Sequence, residues 1–241
     1  AAARSDAVAR RLGNRVLVVG CALLVTGMLL VLLTAHVVGT SPHIYSFIGP
    51  LLVAGAGLGL FIAPVINIVL AGIQTEGAGS ASGVLSTVQQ MGAAIGIAIT
   101  GIVFFGAIGS GAAQATQTVT PQLRAQLLAA GLPTTAVQQS IAGFDRCFQD
   151  RATATDPTIN PPSCQTAQQH AAQAPPQIQR LAGAAFRDAA HQALGRNFSA
   201  AFQTTLIYLS GIFLLSLLLV LALPKVDPQA MHRTPGGSTA K

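Results

Sequence analysis

The chain has 241 residues, 51% of them hydrophobic and 8% charged, with a formal net charge of +6 and a mean hydropathy of +0.58. A soluble domain carries about 25% charged residues. Too little charge remains here to cover a water-facing surface, so the composition points to an integral membrane protein. The basic residues sit at the ends of apolar runs and in one long polar stretch without interleaved aromatics, so nucleic acid is not among the partners expected.

The N-terminal stretch, residues 1–15, reads as a cytoplasmic loop. Arg4, Arg10, Arg11 and Arg15 crowd it, opposed only by Asp6. It begins AAARSD, with neither an initiator Met nor a signal peptide, which reads as the C-terminal part of something longer or as a deliberately shortened chain. Residues 16–38 are uncharged. A bilayer core of about 30 Å needs about 20 helical residues, so this run can span, and the arginines before it place its start in the cytoplasm.

Gly39 to His43 forms a short outer turn without Lys or Arg, broken by Gly39 and Pro42. His36 and His43 flank it, either as titrating groups or as interfacial anchors. The second span covers residues 45–73. Pro64 lies inside it and leaves the Leu60 carbonyl without its helical donor. In lipid that carbonyl needs another partner, so a kink facing protein is expected. Gly55, Gly59 and Ala63 repeat every four residues and form a small-residue stripe suited to close helix packing.

Residues 74–82 form a cytoplasmic link whose only charge is Glu76, and Ser80 or Ser82 can cap the next helix. The third span covers residues 83–108. Gln89, Gly92, Gly96 and Thr100 fall on one face, within about 20–60° at 100° per residue, and Gln90 lies on the adjacent one. Glutamines in a span face the bundle, either to bond another helix or to line a cavity.

From residue 109 to 203 the composition turns to Gln, Thr, Pro and Ala with scattered Arg and Asp. Counting spans places this segment outside the cytoplasm, where long loops translocate largely regardless of charge. Thr120–Pro121 reads as a helix start, with Leu123, Leu127 and Leu128 following and Gly131 with Pro133 closing the helix. Thr134 can cap a second helix with Val137, Ile141, Phe144 and Phe148 on one face. DPTINPPS (156–163) is a break. Pro175–Pro176 opens a third helix carrying Ile178, Leu181, Ala185, Phe186 and Ala189. These amphipathic pieces pack on one another or lie on the bilayer.

Cys147 and Cys164 are the cysteines outside the spans. In an oxidising compartment they can pair across DPTINPPS, a closure worth about 3 kcal/mol. No His or second Cys stands at ligand spacing beside either, so no metal is expected. Cys21, inside the first span, reads as a packing residue. Residues 204–223 are the last span and 224–241 a cytoplasmic tail, so both termini come out cytoplasmic. No phosphate loop, nucleophile elbow or metal cluster is present in the sequence, and neither an enzyme nor a cofactor is expected. No Asp, Glu, Lys or Arg lies within the core of a span, so no proton-coupling group is evident.

Val8 to Arg15 (VARRLGNR) resembles the second-half copy of the cytoplasmic loop motif of the major facilitator superfamily, G-x-x-x-D-R-x-G-R-R. Arg11, Gly13 and Arg15 match, while Arg10 stands where the motif has Asp, Asp6 where it has its first Gly, and Asn14 where it has an Arg. The stretch from Gly57 to Phe105 resembles the twelfth and thirteenth helices of the fourteen-helix drug:proton antiporter branch. The matching pieces are its glycine-rich start, Pro64, the G-x-A-S-G link (Gly79 to Gly83) and Gln90-x-Gly92-x-Ala94-x-Gly96. A long exported segment before the final helix is a variation of that branch.

The resemblance implies an all-α membrane protein made of helices eleven to fourteen, part of a multidrug exporter that works by alternating access. It implies a cell-membrane location and, in the full-length protein, a missing N-terminal bundle, protons, and small amphipathic or cationic substrates. Pro64, Asn67, Gln89 and Gln90 become substrate-path candidates, and Gly55, Gly59, Gly92 and Gly96 helix-packing candidates. The alternative is a self-contained four-span protein whose exported loop binds a partner.

Overall fold

The computed structural model describes residues 15–39, 44–71, 77–156 and 158–222. Among these there are six α-helices and one 3-10 turn, with no strands. The helices are α1 (Arg15–Val38), α2 (Ile48–Ala71, preceded by the 3-10 turn Ile44–Phe47), α3 (Ala78–Ala129), α4 (Thr134–Thr153), α5 (Pro162–Ala172) and α6 (Pro176–Ala222). Four of them, α1, α2, α3 and α6, are long and apolar enough to cross a membrane. The protein is an all-α membrane protein.

Two compact units divide the chain. One holds Ala1–Thr34, His43–Ile95 and Leu206–Lys241, and the other Ala35–Pro42 and Gly96–Thr205. In the first unit Val16, Leu17, Cys21, Leu24, Val25 and Val31 are buried along α1, and Leu206 along α6. Several hydroxyls bond inside their own helices: Thr26 donates to Ala22 O (2.8 Å), Thr87 to Gly83 O (3.0 Å) and Ser216 to Ile212 O (2.9 Å), whereas Ser210 Oγ is buried without a partner. Where water is absent, this internal bonding spares the cost of an orphan donor.

The second unit has a hydrophobic core. It is built from Ala112, Ala115, Val119, Leu123 and Leu127 of α3, Val137, Ile141 and Phe148 of α4, and Ala182, Ala185, Ala189 and Ala193 of α6. Spacings of three and four keep each row on one helix face. The amphipathic segments therefore pack on one another. On α6 the expected apolar side is in place through Ala185 and Ala189, with Phe186 packed against the core, whereas Leu181 is 58% exposed and Ala182 and Ala193 take part instead. Phe144 bridges α4 and α6, with ring centroids 6.1 Å from Phe148 and 6.0 Å from Phe186.

Helix ends differ from expectation at four places. Thr120–Pro121 does not start a helix; α3 runs through it. An interior proline costs about 3 kcal/mol, but Val119 and Leu123 on either side are both in the core, each worth about 1.5–3 kcal/mol buried. Continuity keeps both on one face, and Thr120 Oγ1 donates to Thr116 O at 2.9 Å. Likewise α6 continues from Pro176 into the apolar run without the boundary expected near residue 204. Ser80 and Ser82 lie inside α3 and donate back to Gly77 O and Gly79 O (2.9 Å each) rather than capping it. Thr134 is the first residue of α4, whose cap position is Pro133, without a side-chain cap bond.

The close of α3 follows the sequence. Gly131 has φ +89°, Leu132 N donates to Leu127 O (3.2 Å) and Gly131 N to Leu128 O (3.0 Å). This is the double bond pattern of a Schellman terminus, which needs a left-handed residue and therefore a glycine.

Candidate functional site

In the first unit the residues of interest cluster on the seam between α1 and α2. A Cβ placed on Gly20 would stand 2.9 Å from Phe61 N, 3.0 Å from the Leu60 carbonyl carbon and 3.2 Å from Gly57 O. A Cβ on Gly57 would collide with Leu24 N and lie 2.8 Å from Gly20 O, and one on Gly27 would collide with the Ala54 backbone. Gly20, Leu24 and Gly27 are spaced four and three apart, and so share one face of α1. Only glycine lets the two backbones approach this closely.

Pro64 is buried on the same side of α2. It faces protein, and the peptide against which Gly20 packs carries the Leu60 carbonyl that Pro64 deprives of a donor. Gly55 and Gly59 point elsewhere: a Cβ on either meets nothing within 4 Å. The close approach falls on Gly57, two residues from Gly55 and Gly59 and so about 160° around the helix from the expected stripe, because Gly20 and Gly27 match Gly57 and Ala54.

Gln89 and Gln90 stand exposed on α3, on a stretch whose apolar neighbours Val84, Val88, Met91 and Ile95 are also 58–64% exposed. Gly92 and Gly96 likewise have open space around them. Thr100 shares their face, but its hydroxyl is committed to Gly96 O at 2.7 Å. Asn67 lies on α2 with its side chain outside the described residues. Arg11 and Gly13 are outside them too, and Arg15 is the first residue of α1.

The second unit holds further polar groups, of which the sequence singled out only His36. Asn197 is 4% exposed, and its Nδ2 donates to Ile108 O at 2.9 Å. Its Oδ1 is buried without a hydrogen-bond partner and lies 2.6 Å from where a Cβ on Gly111 would be. An Asn in an alanine-rich stretch carries no periodic signal that would mark it as an anchor. His36 Nδ1 lies 3.4 Å from Gln203 Oε1, while Gln203 Nε2 reaches Ser199 Oγ at 3.3 Å. His43 is outside the described residues.

Cys147 and Cys164 are joined by a disulfide in this structure, which fastens α5 to α4. Ser163 Oγ donates to Asp150 Oδ2 at 2.5 Å beside it. Cys21 is buried, with Sγ 3.9 Å from Phe213 O. Burial raises the pKa of Asp145 above the usual carboxylate range, partly offset by the Thr116 hydroxyl, and Asp145 Oδ1 has no partner. Asp156 is held below that range by the Thr158 hydroxyl and backbone N–H, at 2.6 and 2.9 Å. Among the described residues no three His, Cys, Asp or Glu side chains gather to hold a metal ion.

Compared with known proteins, the chain is similar to a protein of Streptomyces coelicolor named "Probable actinorhodin transporter". The two are 32% identical over 214 residues, covering 89% of this chain and 36% of the relative. The chain thus spans little more than a third of that relative's length. No family profile and no solved structure matches it.

Proposed function

We propose that this chain is the C-terminal part of a proton-coupled exporter of the major facilitator type, in the fourteen-helix multidrug branch, and that it is inactive alone. The observation that carries the reading is the similarity of nearly the whole chain to 36% of a protein named as a transporter. Four helices able to span a membrane and the loop and glycine motifs support it. The relative contributes the activity class; the substrate remains the small amphipathic or cationic class expected from the motifs.

In this reading both termini are cytoplasmic and residues 109–203, which make up most of the second unit, are extracytoplasmic. Transport proceeds by alternating access, with one helix bundle rocking against another around a midplane site. The α1–α2 seam, backbone against backbone, moves as one body. Gln89 and Gln90 on the open face of α3 offer uncharged hydrogen-bond groups to substrate or to the missing bundle, and Gly92 and Gly96 allow a further helix to approach there. Proton coupling comes from acidic residues elsewhere in the longer protein.

The second reading is a four-span protein whose exported unit binds a partner. The separate core and disulfide of the second unit favour it. Reading the coding DNA upstream separates the two. The exporter reading predicts an open frame continuing through about ten more apolar runs of about 20 residues each. A start codon immediately before this segment supports the partner-binding protein instead.

A further inference from the structure

We infer that the second unit carries a binding site for a phosphate-type oxyanion on α6, between Arg180 and Arg187 across Gly183. The inference rests on this unit alone and is independent of the transport reading.

Arg180 and Arg187 are seven residues apart, so they lie on one side of the helix, about 10.5 Å apart along its axis. Both are exposed. Gly183 sits between them. A Cβ there would lie 4.0 Å from Arg187 Nη1, so the Arg187 guanidinium is folded back along the helix toward Arg180.

The two arginines, with Pro176 and Gln179, line an open depression of about 500 Å³. That is within the range of small-ligand sites, about 300–1,000 Å³. The lining holds two cations and no carboxylate. The next acid along the helix, Asp188, is one residue past Arg187 and so about 100° around the axis. The wall is fixed, because Gln179 Nε2 donates to Ala172 O (2.9 Å) and Ala174 O (2.6 Å), tying α6 to the end of α5.

Two guanidiniums facing one depression repel each other until an anion lies between them. Their planar forks match phosphate oxygens two at a time, and the adjacent N-terminal turn of α6 adds positive potential. A neutral or cationic ligand gains nothing from this arrangement. The chemistry shared by a soluble phosphate ester and a phospholipid headgroup fits it.

The test uses the purified full chain in neutral maltoside detergent, titrated with inorganic phosphate at constant ionic strength. Thermal unfolding and the arginine Nε resonances are followed. A saturable response is expected. Arg180→Gln and Arg187→Gln should each weaken it about tenfold, the weight of one charge-assisted hydrogen bond. Arg124→Gln and Arg151→Gln, exposed elsewhere in the same unit, should leave it unchanged. Arg187→Lys keeps the charge but not the fork and should fall between.

A response that rises without saturating overturns the site, as does equal loss in the control variants. Repeating the titration in phosphatidylcholine nanodiscs with and without phosphatidylglycerol identifies the source. A lower apparent phosphate affinity with phosphatidylglycerol means that a lipid headgroup occupies the site. Equal affinity means a soluble phosphate compound. Both results require Arg180 and Arg187.

Discussion

Gly20 packs against the peptide of Leu60, with the Leu60 carbonyl carbon 3.0 Å from where a Gly20 Cβ would stand. That carbonyl is the one Pro64 leaves without a helical donor. The proline and the glycine on the neighbouring helix thus mark the same point of the α1–α2 seam. Gly20→Val and Gly57→Val should each destabilise the chain by about 1–3 kcal/mol, the usual cost of overpacking. Gly55→Val, on the open face, should change stability little. Unfolding in detergent by stepwise SDS addition checks the order. Equal effects at Gly55 and Gly57 would place the seam on the wrong face.

Asn197 and Gly111 give a second, sharper test. Gly111→Ala would put a Cβ 2.6 Å from Asn197 Oδ1. Alone it should destabilise the second unit. In an Asn197→Ala background the clash is gone, and the same change should be close to neutral. The double-mutant cycle should show coupling of about 0.5–3 kcal/mol. Additive effects would mean that the two side chains do not meet.

The disulfide is tested by replacing Cys147 and Cys164 together with Ser. Closing a loop of separation 17 is worth about 3 kcal/mol in the chain-entropy model. The double variant should unfold at lower temperature than the oxidised parent, and the reduced parent should match the variant. Mass spectrometry of membrane-inserted protein should find both loop thiols blocked to alkylation. Two free thiols would count against pairing.

Asp145 sets a pH dependence. Its folded pKa is raised by burial, so the folded state holds this proton more tightly than the unfolded one. Between the unfolded and the raised folded value, stability falls as pH rises. Asp145 therefore destabilises the unit at neutral pH and does so less on acidification. Asp145→Asn should raise the unfolding temperature at pH 7 and flatten its rise toward acid. Asp156, with a lowered pKa, acts in the opposite sense: it stabilises above its unfolded pKa, and that contribution is lost as pH falls through the folded one. A drop in stability in Asp145→Asn at pH 7 would contradict the assignment.

The four apolar helices and the turn at Gly131 were legible because length, charge depletion and glycine each act locally. Val137, Ile141 and Phe148 were legible because large apolar residues at helical spacing leave few alternatives. The continuity of α3 through Pro121 was not, since a Thr-Pro start signal is local and the core contacts of Val119 and Leu123 that override it are not. The seam lies at Gly57, two residues from the expected glycines and on the opposite face of α2. Glycines at 55, 57 and 59 read alike in sequence, and only the partner helix selects among them. The core face of α6 was legible at Ala185, Phe186 and Ala189 but not at Ala182 and Ala193, because close helix approach rewards small residues while Leu181 beside them looks more like core. Asn197 gave no signal at all, because its value lies in a carbonyl 89 positions away.

Gln89 and Gln90 carry the proposed link between the structure and transport. Gln89→Ala or Gln90→Ala in the longer protein should change which compounds are exported more than it changes the amount of protein in the membrane. Gly92→Leu and Gly96→Leu should impair assembly with the proposed N-terminal bundle, because the open space beside them is where another helix is proposed to pack. An unchanged substrate profile in both glutamine variants, with normal assembly in both glycine variants, would leave that face to lipid.

The most direct measurement is substrate-driven proton movement in everted membrane vesicles from cells making the proposed longer exporter. Addition of a lipophilic cationic drug should release protons from acidified vesicles and drive drug uptake that a protonophore abolishes, while the segment alone gives neither. Drug uptake that ignores the proton gradient, or none in vesicles with the longer protein properly inserted, would contradict the account.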